Sequence, residues 1–196
     1  MSKPDGITPS QTAGPYFAFA LTSPRYGYQL LLSNDLVTPD TVGDPIRIEG
    51  RIFDGDGNVV PDAFVELWQA DGSGRYSGKG DRPNTTFKGF GRCETDAAGT
   101  YSFRTVKPGP VPGPDGLDQA PHIDVSIFAR GVLNRIFTRV YFEDEPANAA
   151  DAILGVVPLE RRRTLIARRD GAADGVPRYV FDIRLQGKDE TVFFEA

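Results

Sequence analysis

His122 is the only histidine in this chain of 196 residues, and Cys93 is its only cysteine. His122 sits two residues before Asp124 in PHIDVSIFAR (121–130), a run that alternates like a β-strand. Side chains two apart on a strand point to one face, so an imidazole and a carboxylate are presented side by side. Three readings follow: half of a metal site, a metal site completed by carboxylates, or a hydrogen-bonded strand histidine with no metal. Zinc or non-haem iron normally draws on two or three His or Cys ligands, and the chain offers one of each. The strand-histidine reading is therefore the stronger on residue chemistry alone.

Other chemistries find less support. A Ser-His-Asp arrangement would have to use His122, and no GxSxG elbow or GxxxxGK[ST] phosphate loop is present. Glu143, Asp144 and Glu145 are adjacent and cannot all point inward, so they read as a solvated strand end. ERRRTLIARRD places five arginines between 161 and 169, which suit a solvated face or a subunit contact. The period of two puts Arg130 on the face of 122, 124, 126 and 128. There it reads as a solvated strand end, or as a cation able to meet a substrate carboxylate.

The elements that position these residues are strands. Glycine (22) and proline (16) punctuate short alternating runs. PIRIEGRIFD from 45 alternates Ile46, Ile48, Gly50 and Ile52. AFVELWQAD follows, with Phe64 and the sole tryptophan, Trp68, as core candidates. A loop spans 77 to about 89, and a turn at 96–99 precedes a strand over 100–106. KPGPVPGPDG reads as a loop free of regular structure. Strands follow over 123–129 and 135–142. EPANAADAILGVV and 161–166 suit short helical turns, and 178–185 and 191–196 close the chain as strands. Roughly seven to nine strands with one wet and one buried face predict an all-β, two-sheet β-sandwich over 45–196. Residues 1–44 read as an extended arm, since TPSQTAGPYF is too rich in proline and glycine for a helix. Tyr16, Phe17, Phe19 and Leu21 favour docking of that arm on a protein surface.

Composition bounds the rest. A net charge of −5 argues against a nucleic-acid binder. No run approaches the ~20 apolar residues of a membrane span, and the N-terminus lacks the apolar centre of a signal peptide. A lone cysteine fits a reducing cytoplasm.

Several segments together resemble a known family. TPSQTAGPY, VVPDAFVELWQADGSGRY, GFGRCETDAAGTYSFRTVKPGP, APHIDVSIFARG, TRVYFEDE and RYVFDIRLQGKDETVFFE are similar to intradiol ring-cleavage dioxygenases, from about residue 8 to the C-terminus. The iron-bearing chains of that family hold Fe(III) with two tyrosines and two histidines. Position by position, the resemblance implies that this chain has lost the site. The ligand tyrosine of KPGPYP is Val111 here. His122 stands at the first ligand histidine and Asp124 at the second. The loop before GFGR has no tyrosine, and Gln119 replaces an arginine.

The resemblance therefore implies a non-ligating alpha-type chain, with no catalytic residue of its own. It would pair with an iron-bearing beta chain of the same fold in a higher-order alpha–beta oligomer. The substrates implied are protocatechuate (3,4-dihydroxybenzoate) and O2, and the product is 3-carboxy-cis,cis-muconate. Thr12, Gly14 and Pro15 of the arm, with Arg130, would be lent to the partner's substrate pocket. Two rivals stand beside this reading: a transthyretin-like β-sandwich binding module, and a self-sufficient enzyme with a site rebuilt around His122 and Asp124.

Overall fold

The computed structural model describes residues 32–78, 87–113, 116–133 and 135–195, with positions 14, 21, 26, 27 and 29 of the N-terminal segment. Its strands are β1 Pro45–Phe53, β2 Phe64–Trp68, β3 Phe90–Glu94, β4 Thr100–Val106, β5 Val111–Pro112, β6 Asp118–Gln119, β7 His122–Phe128, β8 Ile136–Phe142, β9 Ile166–Ala173, β10 Val176–Val180 and β11 Ile183–Arg184. A short helix, α1 (Ala152–Val156), lies between 3-10 turns at Pro146–Ala150 and Arg162–Leu165. No described helix is long and apolar enough to cross a membrane.

Hydrogen bonding runs β11-β1-β10-β9-β8-β7-β2-β3, with β4 paired to β1. The path divides into two layers where β9 meets β8 in parallel over only Tyr141–Ile166 and Phe142–Ala167. β4, β1, β10 and β9 make one layer; β8, β7, β2 and β3 make the other. Each strand sends alternate residues inward. Ile48 and Ile52 of β1, Phe103 of β4, Leu67 of β2 and Ile123 and Ile127 of β7 all join one buried cluster. This is the expected all-β sandwich.

Gly50 belongs to the same alternation but carries no side chain for a reason. A Cβ there would fall 1.8 Å from the Phe181 carbonyl oxygen, which accepts a 2.6 Å hydrogen bond from the Tyr101 hydroxyl. Backbone fills the place of a side chain.

Four local expectations need correction. Trp68 is not core: it is 38 % exposed, while Val65 and Leu67 face inward. Phe64, Glu66 and Trp68 occupy the outer face, because one residue of register exchanges the two faces of a strand. Phe64 is nonetheless buried, under a stacked Phe128 ring 4.4 Å away. Among its described residues the 191–196 segment forms no strand and makes one isolated bridge, Phe137–Phe194. KPGPVPGPDG does contain a strand, since Val111 and Pro112 pair with Gln119 and Asp118. Arg130 lies beyond the end of β7, in the turn after Phe128, so it is not on the strand face of His122.

The KPGP segment is pinned from two sides. Gln69, fully buried, donates to the Val106 carbonyl at 2.9 Å and accepts from Thr105 Oγ1 at 2.8 Å. The Gly109 amide donates to the Asp71 carbonyl at 2.9 Å. Lys107 Nζ reaches Asp144 at 3.1 Å and Glu145 at 3.4 Å. Those acids therefore clamp Lys107, where the sequence suggested a merely solvated strand end.

Gly50→Ala should cost about 2–3 kcal/mol through overpacking against fixed backbone, read as a lower urea midpoint. Gly155→Ala is the control. It lies in α1 with nothing within 4 Å of the added Cβ, and should be neutral or slightly stabilising.

Candidate functional site

The site lies on the outer face of β2, β3, β7 and β8. Cross-strand register places Tyr141 beside His122, Arg139 beside Asp124 and Phe137 beside Ser126. On the other flank of β7, Trp68 stands beside Asp124 and Glu66 beside Ser126. The outward face of β8 thus reads Phe137, Arg139, Tyr141, with Arg135 just ahead of the strand.

One end of this face is closed. Leu154 and Val157, from α1 and its end, pack with Leu165 against Tyr141 in a second buried cluster. Asp151 holds this cover in place. Its buried carboxylate accepts from the Leu154 amide at 2.7 Å, the Ala120 amide at 2.8 Å and the Tyr141 hydroxyl at 3.0 Å. It caps α1 and ties the helix to the strand leading into His122. Burial, foremost, raises the Tyr141 phenol far above its ordinary range.

Beneath that cover stand the positions that resemblance matched to metal ligands. His122 is 4 % exposed, and its Nδ1 lies 2.7 Å from the Ala120 carbonyl, so Nδ1 carries the proton. Burial, then the Arg139 cation, holds its pKa below the usual imidazole value. Asp124 Oδ1 lies 3.1 Å from Arg139 Nε. The approach is ionic rather than well aligned, since Oδ1 is buried and accepts no hydrogen bond of good angle. Burial raises the Asp124 pKa against the opposing pull of Arg139. Arg139 Nη1 donates to Gln119 Oε1 at 2.7 Å. Gln119 is the register partner of Val111, which is buried.

The fold therefore gathers Val111, Gln119, His122 and Asp124 into one neighbourhood, with Arg139 among them. These residues do not fit a ferric ion. Val111 has no lone pair to give, and Asp124 is already neutralised by a guanidinium. Among the described residues no three His, Cys, Asp or Glu side chains form a metal-holding group. Arg139 was not singled out by sequence reasoning. Its signal was an arginine in mid-strand among apolar neighbours, which demands a partner acid.

The remaining expected site residues are elsewhere. Thr12 and Pro15 lie outside the described residues; Gly14 is exposed. Arg130 is largely exposed, with its side chain ion-paired to Asp62. In the arginine-rich stretch, Arg161 and Arg162 donate to backbone carbonyls of Glu190, Val157 and Gly155. These two brace their own chain.

Comparison with known proteins decides the family. A family model described as "Dioxygenase" matches residues 14–187. The chain belongs to the intradiol dioxygenase family. It is 48 % identical to the protocatechuate 3,4-dioxygenase alpha chain of Burkholderia cepacia, over 96 % of this chain and 97 % of the relative. It is 36 % identical to the beta chain from the same organism, over 82 % of this chain and 72 % of the relative. Among solved structures, the dioxygenase domain of a carbohydrate-binding fusion protein from Streptomyces sp. SirexAA-E superposes with a TM-score of 0.62 at 28 % identity, covering 93 % of this chain and 99 % of that one. Membership of this family displaces the binding-module reading. Resemblance to both alpha and beta chains fits paired chains of one fold.

Replacing Arg139 by leucine should cost roughly 3 kcal/mol by leaving Asp124 buried without its cation. Adding Asp124→Leu should recover much of that loss in the same denaturation measurement. A second test uses the single imidazole. Its proton resonances should titrate with a midpoint below 6.5, and R139Q should move that midpoint upward. The unfolded chain then binds the extra proton, so stability should fall as pH drops below about 6.5.

Proposed function

We propose that this chain is the alpha, non-ligating subunit of a protocatechuate 3,4-dioxygenase, inactive alone and paired with an iron-bearing beta chain. The observation that carries this reading is the Asp124–Arg139 pair at the position where a ligating chain needs a second histidine. A guanidinium supplies the positive charge there and leaves no donor set for a metal. The 48 % identity to an alpha chain supports the same assignment.

On this reading the partner's Fe(III) supplies the dioxygen chemistry that opens 3,4-dihydroxybenzoate to 3-carboxy-cis,cis-muconate. This chain's share is to bind and orient. Arg130, exposed at the turn after β7, would meet the substrate carboxylate with a charge-assisted hydrogen bond. Thr12, Gly14 and Pro15 would line the partner's pocket, where glycine allows close backbone approach and proline presets an extended course. Orientation of this kind can remove several kcal/mol from a barrier. The alpha–beta units would assemble further, in a cytoplasmic enzyme consistent with the single cysteine.

The test is iron content and visible absorbance of this chain, purified alone and then with its beta partner. The expected result is colourless, iron-free protein alone and a coloured, ring-cleaving complex together. Stoichiometric iron in the isolated chain would overturn the assignment. In the complex, Arg130→Ala should raise KM for protocatechuate about tenfold, the loss of one charge-assisted contact, with iron content unchanged. Iron falling in step with activity would instead make Arg130 structural.

A further inference from the structure

The outer face of β2, β3, β7 and β8 is closed at its Tyr141 end but open at the other. There it forms a concave pocket of about 400 Å³, lined by Trp68, Phe90 and Phe137 together with Glu66, Ser126 and Arg135. That volume is ample for a single-ring ligand and falls in the range of small-molecule sites. Its walls are aromatic. Trp68 is 38 % exposed, with its ring stacked at 5.7 Å on Tyr76 and tilted at 6.3 Å to Phe90. An exposed indole held between two rings is a preformed apolar surface rather than a mobile side chain.

The charges of the pocket decide what it prefers. Glu66 is neutralised by Arg92, whose Nε donates to it at 3.0 Å. Asp124, at the floor, is neutralised by Arg139. Arg135 lines the same pocket and makes no ion pair among the described residues. Each acid has its own internal cation, and one guanidinium is left over. The Ser126 hydroxyl adds a neutral donor on the floor.

We propose that this pocket is a metal-free binding site for an aromatic carboxylate. The ring lies against Trp68, Phe90 and Phe137, and the carboxylate meets Arg135. The site lies in this chain alone and does not depend on the partner's iron. It would hold an aromatic acid without turning it over, since among the described residues neither a metal ligand set nor an acid without its cation lines it.

The probe is benzoate, which has an aromatic ring and a carboxylate but no adjacent hydroxyls to be cleaved. It is titrated into the protein as purified, with its beta chain when that is present, by calorimetry and by fluorescence of Trp68, the only tryptophan of this chain. The expected result is one benzoate site per copy of this chain, additional to any on the partner. Arg135→Glu should weaken that site at least tenfold while ring cleavage by the complex proceeds at its original rate. Benzyl alcohol, neutral and of similar shape, should bind at least tenfold more weakly than benzoate. Trp68→Phe should abolish the fluorescence response and leave the calorimetric stoichiometry in place. An isotherm unchanged by Arg135→Glu, equal binding of benzyl alcohol, or no benzoate site on this chain would overturn the proposal. Because Arg135 is exposed, its substitution does not endanger the fold. Cleavage activity is read separately, so failure of the pocket is distinguishable from failure of the subunit assignment.

Discussion

Asp124 and Arg139 face each other across two antiparallel strands, mostly sequestered from water, and neither could stay there alone. A carboxylate or guanidinium held away from solvent without an opposite charge costs several kcal/mol. The pair therefore constrains its surroundings. It requires β7 and β8 to hold their register, since a one-residue slip would turn one partner to the core and strand the other. It also fixes Gln119, whose amide oxygen accepts a hydrogen bond from the same guanidinium. Through Gln119 it fixes the short β5–β6 pair that carries Val111.

Polar fastenings of a similar kind hold the rest of the site. Asp151 collects three donors in a buried position and fastens α1 over Tyr141. Gln69 and Asp71 bind the end of β2 to the KPGP segment. Each network is satisfied by hydrogen bonds within the chain, so it sharpens the conformation rather than weakening it. The consequence for function is a site of fixed geometry whose charges are already balanced. The other end of the same sheet face has aromatic walls and a guanidinium, Arg135, with no ion pair among the described residues.

The sandwich was readable before any coordinates. Ile46, Ile48 and Ile52 alternate cleanly, as do Ile123, Val125 and Ile127, and β1 and β7 lie within a residue of their expected bounds. β9 was hidden because its arginines obscured the alternation. β5 and β6 were hidden because a two-residue pair leaves almost no periodic signal. Trp68 was misplaced because size and hydrophobicity suggested burial, whereas Val65 and Leu67 had already claimed the inward face of β2. The loss of metal ligands at Val111 and Asp124 was legible residue by residue. What replaced them was not.

By itself, then, the sequence determined the class of fold, the two faces of most strands and the presence of a single histidine. Those follow from local chemistry: a period of two, turn residues, and side chains that either have lone pairs to donate or do not. Only the tertiary structure decided that Arg139 neutralises Asp124, that Asp151 fastens the cover over Tyr141, and that Arg135 shares a pocket with Trp68. Asp124 and Arg139 are fifteen positions apart in the chain and only 3.1 Å apart in space. Charge pairing across strands depends on register and burial, and neither quantity exists until the sheet has formed.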